Sequence, residues 1–477
     1  MGLVTPTEPV PLDELGRVHF VGIGGAGMSG IARIMLARGV TVSGSDAAAS
    51  AALTELAALG ARVYVGHSAA HLGDADTLVV SSAIRPDNPE LAEATRRGIR
   101  VLHRAAALAA LMGGRRVIAV TGTHGKTTTT SMITTVLRET GADPGYVIGG
   151  VLAATGTNAA DGAGQDFVAE ADESDGSFLM LPADAAVVTN VEADHLDNYG
   201  TAAAYRASFG EFVARIAPGG LLVTCADDPG ARDLADVAAR RGLRVRTYGE
   251  SPDAGYRVTG VRASGMETTF RVRSQPGPFG MIDESITLRV PGLHYALNGA
   301  AAFAAAVELG VPPQQAAAAL ARYRGAGRRM EPKGEAGGVR VLDTYAHHPT
   351  ELAADLRAAR AIAGAGQVIA VFQPHLYSRT RIFAAEFGAA LALADEAVVL
   401  DVYAAREDPE PGVTGKLVAD AVPGGTARYV ESAADVPRVV ASIAAPGDLV
   451  LTMGAGDVTR LGPLILSAIA AAGTART

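Results

Sequence analysis

RVIAVTGTHGKTTTT, residues 116–130, passes from a β-branched apolar run into a glycine-bearing turn and then directly into a helical stretch. A strand that ends on glycines and opens onto a helix N-terminus gathers backbone N–H groups and a favourable dipole at one point, the requirement for holding a phosphate. Gly122, Thr123, His124 and Gly125 supply the turn, Lys126 a point charge and Thr127 a hydroxyl suited to Mg2+. The spacing departs from G-x-x-x-x-G-K-[ST], because Val120 stands where the first glycine would be. Only three lysines occur in the chain, Lys126, Lys333 and Lys416, and one of them sits in this turn. The stretch therefore points to an α/β segment that consumes a nucleoside triphosphate, against the alternative of an ordinary strand–helix turn.

Working outward, short apolar runs alternate with alanine-rich helical stretches. The runs are 17–23, 40–43, 62–65 and 77–81 before the loop, and 167–169, 185–189 and 221–224 after it. Runs of this length between helices read as buried parallel strands. From Tyr256 to Val290 the pattern changes to an antiparallel meander with Gly265 at a turn, and residues 322–331 read as a linker. The α/β rhythm returns at 339–342, 367–372, 396–400 and 448–452. The chain of 477 residues is too long for one core. The expectation is an α/β fold in three domains. These are a Rossmann-like domain over 1–114, a central P-loop ATPase-like domain over 115–327 and a Rossmann-like domain over 328–477. The central sheet is expected to be mostly parallel with a small antiparallel part.

The bulk numbers exclude several classes. With 48% apolar and 19% charged residues the chain is globular, and a net charge of −9 without a basic run argues against a nucleic-acid partner. Cys225 is the only cysteine, so no internal disulfide forms. The N-terminal stretch MGLVTPTEPVPLDELG has neither the positive region nor the apolar core of a signal peptide, and no apolar run reaches a membrane span's length. A cytoplasmic protein without membrane contact is expected.

A second glycine turn, Gly22, Gly24 and Gly27, follows the first apolar run, and Asp46 lies at the end of the next. The arrangement suits a diphosphate, with Asp46 where an NAD-binding protein places its ribose acid. Taken alone it also fits an NAD-dependent oxidoreductase, or glycines needed only for packing. Further on, Glu170, Asp172, Glu173 and Asp175 crowd one short stretch, where like charges repel unless a cation offsets them. Mg2+ accepts few carboxylates, phosphate oxygens and water.

The segments HFVGIGGAGMSG (19–30), TGTHGKTT (121–128), EADESDGSF (170–178), NVEADHLDNY (190–199), PGLHYALN (291–298), YAHHPTE (345–351), QPHLYSRT (373–380) and MGAGD (453–457) resemble, in order, the signatures of the Mur ligase family. The resemblance implies an ATP-dependent ligase that makes an amide on a UDP-sugar through an acyl phosphate. The first signature points to the member adding L-alanine to UDP-N-acetylmuramate in peptidoglycan precursor synthesis. A ligase that adds a whole recycled peptide to the same sugar nucleotide is the nearest alternative. A non-catalytic nucleotide switch is more remote.

Residue by residue, the resemblance implies that Thr127, Glu170 and His195 hold Mg2+, and that Gly122 to Thr128 cradle the ATP phosphates. His294 and Asn298 resemble the adenine contacts, and Arg328 or Arg329 reaches the γ-phosphate, Arg329 being the residue chosen. Gly22, Gly24, Gly25, Gly27, Met28, Asp46, His67 and Ser82 would face the sugar nucleotide. His347, His348, His375 and Arg379 resemble the groups lining the carboxylate and alanine site. Lys126, Glu170, His195, Arg329, His348 and Arg379 are the expected catalytic set, in a monomer or homodimer.

No lysine lies between Lys126 and Lys333, so the carbamylated lysine that bridges metals in several sister ligases has no counterpart. Two departures stand out. Asp343-Thr344 replaces two consecutive aspartates, which leaves Asp343 as the nearest ribose contact and predicts that Thr344→Asp tightens ATP. Leu376 stands where many members have arginine.

Overall fold

The computed structural model describes residues 3–275, 277–405 and 407–474. It contains three sheets. The first has five parallel strands in the spatial order Arg62–Val65, Val42–Asp46, Val18–Val21, Thr77–Val80, Arg100–His103. The order reverses between Val18–Val21 and Thr77–Val80, so a crevice opens beyond their C-terminal ends, where Gly22 and Ser82 follow. Local chemistry ends the helices between them. Asn88 accepts from the amides of Glu90 and Leu91 with Pro89 at the first helical position, and Gly98, at φ 68°, closes that helix.

The second sheet has ten strands. At its centre Ala183–Val188, Arg116–Thr121, Asp166–Glu170 and Gly145–Leu152 run side by side and parallel. Ile216–Cys225 and Arg244–Gly249 extend it on one side, followed in chain order by Tyr256–Ser264, Glu267–Ser274 and Asp283–Leu288. Thr157–Ala160 pairs antiparallel with Gly145–Leu152 at the other edge. The third sheet runs Glu331–Ala336, Val339–Thr344, Leu449–Met453, Val368–Phe372, Glu396–Leu400, Ala427–Val430, and only its first strand is antiparallel. Its core is a β-branched layer that includes Val341, Ile369, Val371, Val398 and Val450.

The helix Lys126–Glu139 is rich in threonine, a weak helix former. Here it is buried, and the hydroxyls of Thr130, Thr134 and Thr135 each donate at 2.8 Å to the carbonyl four residues back. These three hydroxyls are thus satisfied without partners from other elements.

The chain divides into two compact units. One comprises Met1–Thr259, Arg271–Ile286 and Leu297–Tyr323, the other Gly260–Phe270, Thr287–Ala296 and Arg324–Thr477. The expected boundary at 114/115 falls inside the first unit, because the first two sheets are fastened together. Arg38, at the end of the helix Ala26–Ala37, pairs with Asp161 at 2.5 Å, and Arg115 approaches the same carboxylate at 3.3 Å. Asn158 donates to the carbonyl of Ala26.

Asp161 is about a quarter exposed, and it neutralises two largely buried guanidinium groups. Asp161→Ala is expected to destabilise the protein by roughly 2–3 kcal/mol, more than Arg38→Met, because it strands two buried charges rather than one. Urea midpoints for both variants check the ranking.

Candidate active site

The C-terminal ends of three neighbouring strands converge on the phosphate loop. Arg116–Thr121 leads into it, Asp166–Glu170 ends on Glu170, and Ala183–Val188 leads to Thr189 and Asn190. Gly122 has φ 128° and Gly125 φ 81°, and a Cβ on Gly122 would lie 2.1 Å from Thr189 Oγ1. A Cβ on Gly125 would lie 2.6 Å from Asn298 Oδ1. Both positions therefore require glycine, and Asn298 lies directly against the loop.

The neighbouring side chains hold the loop open. The His124 amide donates to Asn190 Oδ1 at 2.9 Å, and its ring Nε2 lies 2.9 Å from Glu192 Oε2. Thr123 Oγ1 donates to the carbonyl of Glu192 and meets the Tyr205 hydroxyl, each at 2.9 Å. Thr128 is buried, and its carbonyl accepts from Ser131 Oγ.

Thr127 Oγ1 donates to Glu170 Oε1 at 2.9 Å, while Glu170 Oε2 accepts the Gly149 amide. A hydroxyl beside a single carboxylate is a hard-oxygen donor set that leaves room for phosphate and water, and it fits Mg2+. His195 sits at φ 52° with Nε2 3.7 Å from Glu173 and 3.6 Å from Asp194.

The composition of the acidic stretch gives no hint of the partners it takes. Lys126 Nζ donates to Glu173 Oε1 at 2.9 Å and to the carbonyls of Gly122 and Thr123 at 2.7 and 3.0 Å. Burial pushes the Glu173 carboxyl up to about 7, the neighbouring Asp172 adds to the rise, and Lys126 opposes it. Burial lowers the pKa of Lys126, but Glu173, Asp172 and Glu170 outweigh it and raise it. Asp172 is paired with Arg104 at 2.6 Å.

At the first glycine turn, the Gly24 amide donates to Asp46 Oδ2 at 2.9 Å, so Asp46 braces the turn. Gly25 caps the following helix without a side-chain bond, Gly22 has φ 77°, and Gly27 lies beside Arg104. Met28, also expected to face the sugar nucleotide, is buried. His67 Nδ1 lies 2.9 Å from Ser45 Oγ, which donates to the buried Glu90 at 2.6 Å. Glu90 also accepts the Ser68 amide and lies against His19 and His71. Burial raises the Glu90 carboxyl, but bonds from His19, Ser45 and the Ser68 amide prevail and hold it at about 2.

In the second unit, His348 caps the helix Pro349–Ala363, and its ring packs on Phe383. The His347 and His375 rings are 6.1 Å apart, and His375 stacks on Tyr403. Arg379 is buried in the first turn of Tyr377–Leu391, and Arg329 lies over the Tyr345 ring at 5.2 Å.

The two residues considered for the ribose contact are both buried. Asp343 is fully buried and takes bonds from Thr452, Thr459 and Arg328 at 2.7, 2.9 and 3.2 Å, so no carboxylate oxygen faces outward. Thr344 is also buried and donates to Asp355, which holds His294 Nε2 at 3.2 Å. Leu376, at φ 72° and buried, caps the helix Tyr377–Leu391 in a conformation that a branched side chain seldom adopts.

Three family models match the chain: "Mur ligase family, catalytic domain" over residues 17–116, "Mur ligase middle domain" over 120–306 and "Mur ligase, glutamate ligase domain" over 328–456. A UDP-N-acetylmuramate--L-alanine ligase of Thermobifida fusca is 57% identical, covering 98% of this chain and 100% of the relative. One of a Nocardioides strain is 59% identical, covering 98% and 99%. Among solved structures, a UDP-N-acetylmuramate-alanine ligase of Thermotoga maritima superposes with TM-score 0.80 at 30% identity, covering 94% of this chain and 98% of that one. A murein peptide ligase of Psychrobacter arcticus gives 0.72 at 25%, covering 95% and 99%.

Lys126→Ala is expected to lower ATP turnover on the order of 10²–10³-fold and to destabilise the protein by about 2 kcal/mol, since it strands Glu173. Adding Glu173→Gln restores the stability but not the turnover. A double variant with normal turnover would remove the lysine from the chemistry. For Thr344→Asp the structure reverses the expected sign. The new carboxylate meets buried Asp355, so a loss of roughly 2–3 kcal/mol replaces a tighter ATP site. Unchanged denaturation with a lower KM for ATP would reinstate the ribose contact.

Proposed function

The chain belongs to the Mur ligase family, and we propose that it joins L-alanine to the lactyl carboxylate of UDP-N-acetylmuramate, converting ATP to ADP and phosphate. End-to-end identity of 57% and 59% to ligases of that name carries the reading. The match to a murein peptide ligase supports the peptide-adding alternative less, at 25% identity. The oxidoreductase alternative leaves the phosphate loop without a role, and the acid it relies on, Asp46, is engaged by the Gly24 amide. Three domains divided at 114/115 and 327/328 are part of this reading, and the three sheets, with strands over 18–103, 116–288 and 331–453, support it.

A lactyl carboxylate oxygen attacks the γ-phosphorus, the bond to the β-phosphate oxygen breaks, and ADP leaves. The alanine amine then attacks the acyl carbon, loses a proton and expels phosphate. Positioning and charge neutralisation supply most of the acceleration in the first step. The amides of the loop from Gly122 to Thr128 orient the phosphates, and Lys126 stabilises the transferring group. Asn298, held against Gly125, and His294, held by Asp355, are the adenine contacts of this reading.

Thr127, Glu170 and His195 would hold Mg2+, which when bound neutralises phosphate charge. Arg329 reaches the γ-phosphate, while Arg328 serves the linker through Asp343 and the carbonyls of Gly454, Ala455 and Gly456. His67 and Ser82 face the sugar nucleotide, and His348, His375 and Arg379 receive the alanine. The setting is the cytoplasm, where ATP is supplied.

ADP release with UDP-N-acetylmuramate is expected with L-alanine and not with the tripeptide. Glycine and serine are expected to react about 10–200-fold less well in kcat/KM, since a pocket gains little from one small group. A preference for the peptide, or a nicotinamide absorbance change without ADP, would overturn the reading.

A further inference from the structure

The stretch Asp172–Asp175 touches two different sites within four residues. At Glu173 it grips the phosphate-loop lysine, with Nζ 2.9 Å from Oε1. At Asp175 it reaches the first sheet. Ser82 Oγ donates to Asp175 Oδ2, and His103 Nε2 lies 3.5 Å from the same oxygen and 3.1 Å from Ser82 Oγ. Ser82 follows the fourth strand of that sheet and His103 ends the fifth, on the side where the crevice opens.

The intervening backbone is fixed. The Tyr199 hydroxyl donates to the Glu173 carbonyl, Asn198 Nδ2 to the Ser174 carbonyl at 2.9 Å, and the Ser177 amide to Asp175 Oδ1 at 3.0 Å. Asp175 is only 6% exposed, so an ionised carboxylate there depends on Ser82, His103 and the Ser177 amide. A short, braced connector thus has the triphosphate lysine at one end and the crevice of the sugar-nucleotide domain at the other.

We propose that Asp175 is a positioning residue that couples occupancy of the sugar-nucleotide crevice at Ser82 to the grip of Glu173 on Lys126. The proposal rests on the reading of that crevice as the UDP-N-acetylmuramate site. A sugar nucleotide that engages the Ser82 hydroxyl withdraws the donor from Asp175. The braced connector then shifts as one piece, Glu173 moves away from Lys126, and the lysine turns to the triphosphate. Each ligand therefore tightens the other by the same factor, because linkage is reciprocal.

The test is calorimetry on the full chain with Mg2+ and a non-hydrolysable ATP analogue, with and without saturating UDP-N-acetylmuramate. In the unaltered protein the sugar nucleotide is expected to lower the Kd of the analogue by at least about fivefold. In Asp175→Ala the ratio falls to within twofold of one, and the Kd of the analogue alone falls toward the value it has with the sugar nucleotide in the unaltered protein. Asp175→Ser keeps an oxygen for the Ser177 amide but is too short for Ser82, and it gives the same result should the alanine variant fail to fold. Coupling that persists in the serine variant overturns the proposal, as does a ratio of one in the unaltered protein. If the unaltered protein does not bind UDP-N-acetylmuramate at all, the substrate reading falls and takes the proposal with it. Binding with persistent coupling in the variants removes the proposal alone.

Discussion

The ion pair between Lys126 and Glu173 is the constraint around which the first unit is organised. A buried ammonium needs a carboxylate, and a buried carboxylate raises the cost of every other carboxylate near it. The acidic stretch resolves this by giving each member a separate partner. Glu170 takes Thr127 and the Gly149 amide, Asp172 takes Arg104, Glu173 takes Lys126, and Asp175 takes Ser82 and His103. Two of those partner sets belong to the first sheet's segment of the chain. The charge distribution at the phosphate loop thus binds the first two sheets together, and the Asp161 cluster does so again farther off.

The parallel framework was legible because β-branched runs of four to six residues end on glycines or caps. Strands with weaker patterns escaped. Gly145–Leu152 carries three glycines, Thr157–Ala160 reads TNAA, and Glu331–Ala336 contains proline and lysine at a sheet edge. These strands are held by their neighbours rather than by propensity. The two glycine turns were equally plain, since only a strand–glycine–helix junction concentrates amides.

What the chain could not disclose was side-chain direction. Asp343 was read as the nearest ribose contact, and its buried bond to Arg328 had no signal in the sequence. Asp355, one helix later and without any motif, holds both Thr344 and His294. Tertiary placement decides such cases, and single-residue chemistry does not. Left-handed backbone was hidden too. Among the described residues, His195 and Leu376 hold positive φ within segments that resemble family signatures, and Arg328 and Met330 do so in the stretch read as a linker, a conformation kept only where surrounding bonds enforce it.

The buried bond between the Tyr323 hydroxyl and Ser131 Oγ spans 192 residues at 2.9 Å. The helix that bears the phosphate loop is therefore completed by chain made much later, since the first unit closes only with Leu297–Tyr323. At ribosomal speeds of about 5–20 residues per second, that threonine-rich helix waits roughly 10–40 s for its last partner. During synthesis the nascent chain carries this helix with its Tyr323 partner still unmade, so the cradle it bears is finished only when the chain has run past Tyr323.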